Sequence, residues 1–145
     1  MIAIDTNLLV YAHRTAVPEH AAARAAIEGL AAGGRAWGFA AAVVAEFWSV
    51  VTHPAAAGRP SAPREAEEFI RTVVEQGGSR IWRPGPGFGS RLARAASDLD
   101  IQGVRIFDLQ IALTAFDNGA SEIWTHDGSF RSIPGLAVKD PLAAS

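Results

Sequence analysis

The sequence predicts an α/β domain in which a mostly parallel sheet is covered by helices. Short apolar runs of β character, at residues 1–4, 36–40, 80–83, 122–125 and 136–138, alternate with longer segments of helical periodicity. Glycine and proline mark the boundaries between them. With 145 residues, of which 49% are hydrophobic and 19% charged, the chain is long enough to bury a core as one domain spanning 1–145.

Residues 1–4 read as the first strand. Residues 7–14 look helical, and 18–32 form a second helix with Pro18 in its first turn, where a missing N–H costs nothing. Gly33-Gly34 ends it. A second strand at 36–40 leads into a helix over 42–53 that Pro54 stops. Residues 55–60 are a loop, after which Ser61 is placed to cap a helix over 63–75 that Gly77-Gly78 terminates. A short strand at 80–83, a turn at 84–87 and a helix at 90–99 follow. Residues 108–118 are helical up to Gly119, 122–125 are a strand, and 136–138 a last, weaker one.

Cysteine is absent, which removes disulfides and thiolate metal ligands and suits a reducing cytoplasm. The chain runs from Met1 straight into a short strand ending in an acid, with no basic region and no long apolar stretch, so a cytoplasmic protein without membrane association is expected. A net charge of -2 argues poorly for a partner made of phosphates. Four of the 15 acids, however, are better read as a site of their own. The remaining 11 face 13 basic residues, all Arg except Lys139, and the Arg fork suits phosphate.

Those four acids are Asp5, Glu46, Asp108 and Asp127. Asp5 ends the first strand and Asp127 follows the strand at 122–125, positions outside the carboxyl ends of strands where ligands sit in such sheets. An aspartate capping the helix near Asn7 would look the same. Glu46 lies among Ala42, Val43, Val44, Ala45, Phe47, Trp48, Val50 and Val51, a helix with almost no polar face, so it must meet a cleft, a partner or a cation. Asp108 opens an apolar helical pattern, a place the helix macrodipole also favours for an acid.

Acids that cannot neutralise one another need a cation. A few carboxylates plus water and substrate phosphate are how Mg²⁺ is commonly held. Such an ion lowers the pKa of a bound water and stabilises a leaving oxygen, which makes phosphodiester cleavage the expected chemistry with Mg²⁺ or Mn²⁺ as cofactor. Without metal, mutual repulsion is expected to raise the pKa values of the four acids as one coupled set. Thr6 and Asn7 are placed to orient Asp5 or a bound water, Arg105 to contact phosphate, and His126 to contact substrate. His13, His20, His53 and His126 lack the paired spacing of a zinc helix. There is neither a Gly-x-Ser-x-Gly elbow nor a P-loop.

The motifs Ile4-Asp5-Thr6-Asn7, Val44-Ala45-Glu46-Phe47, Val51-Thr52-His53-Pro54, Ile106-Phe107-Asp108-Leu109-Gln110-Ile111-Ala112 and Trp124-Thr125-His126-Asp127-Gly128-Ser129-Phe130, in this order and spacing, resemble the PIN-domain nucleases, in particular VapC-type toxins. The ending Ile133-Pro134-Gly135-Leu136-Ala137-Val138 is similar too. The resemblance implies a three-layer α/β/α sandwich and a Mg²⁺ or Mn²⁺ site formed by Asp5, Glu46, Asp108 and Asp127. It implies endonucleolytic cleavage of RNA, a homodimer, and a small antitoxin whose C-terminal segment blocks the cleft. Thr125 matches the hydroxyl residue usual before the last acid; with Thr6 it is expected to support the ligands.

Two rivals share some of these features. A haloacid-type phosphatase also begins with a strand ending in Asp, but its usual second acid two residues on is Asn7 here. A receiver-like signalling module also gathers acids around Mg²⁺ and ends near a lysine, as in Lys139-Asp140-Pro141, but no central strand here ends in an obvious phosphoacceptor.

Overall fold

The computed structural model describes residues 1–143. Its chain order is β1 (Ile2–Ile4), α1 (Thr6–His13), α2 (His20–Ala32), β2 (Trp37–Ala40), α3 (Ala41–Val51), α4 (Pro63–Glu75), β3 (Arg80–Trp82), α5 (Phe88–Asp98), a 3₁₀ turn (Gly103–Arg105), α6 (Ile106–Asp117), β4 (Glu122–Trp124) and β5 (Ala137–Lys139). The strands form one sheet in the order β3-β2-β1-β4-β5, every neighbouring pair parallel. The chain winds outward from β1 through β2 to β3, then returns to place β4 and β5 on the other side of β1. The winding therefore reverses between β1 and β4, where Ala3 pairs with Ile123 and Ile4 with Trp124. Helices on both faces complete the three-layer α/β/α sandwich.

Every residue of β1 and β2 is buried. A strand covered on both faces has no polar side to show, which is why these segments read as continuous apolar runs. Ile4, Leu8, Leu9, Phe39, Val43, Phe47 and Ile123 are fully enclosed, and each such side chain contributes about 1.5–3 kcal/mol by leaving water. The outer strands differ. All of β5 is exposed, as are Arg80 and Ile81 of β3, which accounts for the weak pattern at 136–138. Gly38 in β2 has a steric role: a Cβ there would lie 2.5 Å from the Arg80 carbonyl oxygen and 2.9 Å from the Trp82 ring.

Local chemistry shifts some predicted boundaries. α2 begins at His20, leaving Pro18 in the turn before it. His20 Nδ1 lies 2.9 Å from the Tyr11 carbonyl oxygen and ties that turn to α1. Ser61 does not cap α4. Its hydroxyl is held by His13 Nε2 at 2.9 Å and by Arg14 Nη1 at 3.2 Å, while the Glu65 carboxylate reaches back to the Ala62 N–H at 3.0 Å. Glutamate three residues into the helix thus does the capping expected of serine. α6 starts two residues before Asp108, so this acid lies in the first turn. Among the described residues, no helix is long and apolar enough to cross a membrane.

Candidate metal centre

Asp5 leaves β1 with extended backbone and caps α1: its Oδ1 accepts the Thr6 N–H at 2.7 Å. Oδ2 accepts the Thr125 hydroxyl at 2.8 Å and the Asn7 amide at 3.1 Å. The capping reading and the site reading are therefore both true of one side chain. Asp5 is only 6% exposed. The groups acting on it include no cation; burial pushes its pKa up from 3.8 to about 6, against the pull of the Thr125 and Thr6 bonds and with smaller pushes from Asp108 and Glu46.

Asn7 and Thr125 brace this corner. The Asn7 amide also donates to Thr125 Oγ1 at 2.9 Å, and its carbonyl accepts the His126 N–H at 3.0 Å, so one side chain links the ends of β1 and β4. Thr125 Oγ1 donates to Asp5 and accepts from Asn7 and from the Asp127 N–H at 3.1 Å, using a hydroxyl's whole capacity. A valine of the same shape would forfeit all three bonds.

Glu46 is aimed by its neighbour. Phe47 is fully buried and stacks on Phe69 of α4 with ring centroids 5.2 Å apart, which fixes the rotation of α3 and turns Glu46 toward β1. Its Oε2 accepts the Thr6 hydroxyl at 2.6 Å. Asp108 and Asp127 share a cation. Arg105 Nη1 donates to Asp108 Oδ2 at 3.0 Å and to Asp127 Oδ2 at 2.8 Å. The backbone N–H groups of Arg131 and Ser129 add a bond to Asp108 Oδ2 and Asp127 Oδ1 respectively. Arg105 first, then the Ser129 N–H, holds the Asp127 carboxyl below the usual range.

Asp5, Glu46, Asp108 and Asp127 line one cleft of about 330 Å³, together with Thr6, Asn7, Val10, Tyr11 and Val50. All four acids predicted from the sequence meet there, with Thr6 and Thr125 bonded to them. The acids do not shift together: Asp5 rises through burial, while Asp127 falls through Arg105, because one carboxylate is enclosed and the other meets a guanidinium at the rim. Among the described residues, no three acidic or histidine side chains are already closed to metal-cage spacing. Thr6 holds Glu46, and Arg105 holds the other two. A larger cleft of about 740 Å³, between α2 and Trp124, is apolar and contains no acid.

Arg105 therefore contacts acids, and His126 is oriented by Asp140, with Nδ1 2.9 Å from Oδ2 and its ring edge-on to Tyr11 at 6.0 Å. Tyr11 and Val50 are cleft residues the sequence did not point to. Burial is the main force raising the Tyr11 pKa, so its phenol stays a protonated donor. Lys139 pairs with Glu122 at 3.1 Å, away from the acids.

A doubly wound α/β/α domain with carboxylates gathered where the winding reverses belongs to the class of α/β folds that bind their ligands at that point. The family model described as PIN domain matches residues 2–136. The chain belongs to the PIN-domain family, and its relatives include VapC ribonucleases. Ribonuclease VapC43 of Mycobacterium tuberculosis is 32% identical over 142 residues, covering 98% of this chain and 96% of the relative. Among solved structures, Mycobacterium tuberculosis VapC20, described as a sarcin-ricin loop cleaving toxin, aligns with a TM-score of 0.67 at 14% identity over 90% of this chain and 92% of that one. VapBC2 from Rickettsia felis, bound to a DNA fragment from their promoter, aligns with a TM-score of 0.67 at 20% identity over 97% and 98%. Family membership sets aside the phosphatase and receiver readings.

Proposed function

We propose that this chain is a Mg²⁺- or Mn²⁺-dependent endoribonuclease, the toxin of a type II toxin-antitoxin pair, acting as a single nuclease domain over residues 1–145. The observation that carries this reading is Asp5: a buried carboxylate facing no cation, at the head of an acid-lined cleft, in a chain whose relatives include ribonucleases. The donor set fits the ion, because every side chain offered to the cleft by the four acids is a hard oxygen ligand and no thiolate or imidazole joins them.

Asp5 and Asp108 would be the principal ligands, Glu46 a ligand or the base that orients the attacking water, and Asp127 a ligand through an intervening water. When bound, the ion supplies a water of lowered pKa and stabilises the leaving oxygen. Thr125 and Asn7 fix the Asp5 oxygens, and Thr6 fixes Glu46, so the anionic face of the cleft is organised before substrate arrives. Tyr11 is placed at the wall as a donor to a phosphate oxygen or a ribose hydroxyl. The proposal includes a cytoplasmic location, a homodimer, and a small antitoxin whose terminal segment covers the cleft.

The test is cleavage of total RNA by purified protein with Mg²⁺, Mn²⁺ or chelator, beside Asp5→Asn and Asp108→Asn. Metal-dependent internal cuts that both variants lose are expected. Cutting that persists in chelator, or in a rigorously purified Asp5→Asn protein, would exclude the assigned roles.

A further inference from the structure

The geometry points to Arg105 as an internal cation that bridges Asp108 and Asp127, engages oxygens the divalent ion would use, and must release them when metal binds. The inference rests on the metal-dependent reading above and adds a competitor already built into the site.

A single nitrogen of Arg105 lies between the two carboxylates, 3.0 Å from Asp108 Oδ2 and 2.8 Å from Asp127 Oδ2. Magnesium binds oxygen at about 2.0–2.1 Å. An ion bound to Asp108 Oδ2 at that distance, with a water between it and Asp127, would compete with a guanidinium nitrogen 3.0 Å from the Asp108 oxygen and 2.8 Å from the Asp127 oxygen. The two cations also repel. Loading is therefore an exchange of one cation for another; among the described residues no three acidic or histidine side chains form a ready metal cage.

The side chain is built to move. Arg105 ends a 3₁₀ turn that starts at Gly103, whose φ is +58°, and its guanidinium keeps 37% of its surface in solvent. No hydrogen bond from the guanidinium reaches any other partner among the described residues. Once released, it stands at the cleft mouth beside Asp108, where a planar fork suits a phosphate oxygen. The exposed side chains of Val104 and Phe107 flank it. The same residue thus opposes metal loading in the resting protein and contacts the substrate phosphate in the loaded one.

These two roles give Arg105→Gln opposite effects on two measurements. Calorimetric titration of chelator-treated protein with Mn²⁺ should show binding about tenfold tighter than wild type, as expected for loss of a charge-assisted bond. Cleavage of RNA at saturating Mn²⁺ should nevertheless be slower. Arg105→Lys should bind Mn²⁺ close to wild-type affinity. In wild-type protein, the Arg105 side-chain NMR signals should change from protected to solvent-exchanging as Mg²⁺ is added, a readout that needs no variant and no RNA. Unchanged or weaker Mn²⁺ binding by folded Arg105→Gln overturns the inference, as does a guanidinium that stays protected at saturating Mg²⁺. Wild-type protein that binds no Mn²⁺ and cuts no RNA fails the parent reading instead. Wild type that binds and cuts while Arg105→Gln does not tighten fails the exchange alone.

Discussion

Replacing Asp5 by Asn should stabilise the metal-free protein at neutral pH, the reverse of what losing a buried hydrogen-bonded group usually does. A free aspartate titrates at 3.8 and Asp5 in the fold at about 6. At about 1.36 kcal/mol per pKa unit, keeping Asp5 ionised in the folded chain costs about 3 kcal/mol. The sign follows from proton binding. Below pH 3.8 both folded and unfolded chains hold the proton and nothing is lost. Between about pH 4 and 6 the unfolded chain releases it first, so folding weakens as pH rises, and above 6 the full cost persists.

An amide at position 5 still accepts the Thr6 N–H with its oxygen, but its nitrogen can accept from neither Thr125 nor Asn7, and two lost bonds cost about 2 kcal/mol. The net gain is about 1 kcal/mol at pH 7.5, or roughly 2–4 °C in Tm for a chain of this size. At pH 4 the gain is gone and the variant is the weaker by about 1–2 kcal/mol. Urea titrations of both proteins in chelator at the two pH values isolate Asp5 together with its coupling to Asp108 and Glu46, because groups distant from it cancel in the double difference. Equal gaps at both pH values would refute the reasoning, since they would mean that Asp5 ionises in the fold as readily as in the open chain.

Thr125→Val should cost about 2 kcal/mol of stability, because a buried hydroxyl that makes three hydrogen bonds is lost, and should move the acid limb of the pH–rate profile upward, because the bond that most lowers the Asp5 pKa is gone. Denaturant titration and cleavage rates from pH 5 to 8 check the two effects. Added Mg²⁺ at about 100 times its Kd should stabilise wild type by about 2.7 kcal/mol in a thermal melt, and Asp108→Asn should show much less. Gly38→Ala should destabilise by at least about 1–3 kcal/mol, because the new methyl meets the Arg80 carbonyl and the Trp82 ring with no room to shift; an unchanged melting curve would show that β2 and β3 can part.

The site was legible in sequence where an acid's surroundings are local. Asp5 and Asp127 follow short strands, and a strand of three buried residues delivers whatever follows it to the sheet edge. Glu46 was legible because its helix offers no other polar side. The bond of Arg105 to two of the acids was not legible because its partners sit 3 and 22 residues away, and only the return of the chain to β4 makes them one cluster. Asn7 was seen as a local orienter, but its larger role is to join two strand ends 119 residues apart. Ser61 failed as a cap for a similar reason: His13 and Arg14, distant in sequence, claim its hydroxyl first. Patterns of two to four residues reveal which elements exist; they do not reveal which polar group wins a contest between a neighbour and a stranger.

The placement of β4 beside β1 has a consequence during synthesis. Asp5 is made 120 residues before its Thr125 donor, and before Asp127 with it. A nascent polypeptide that stops short of Thr125 therefore carries the first acid of the cleft and lacks the brace that aims it. The acid cleft can close only after residues 125–127 have been made and β4 has paired with β1.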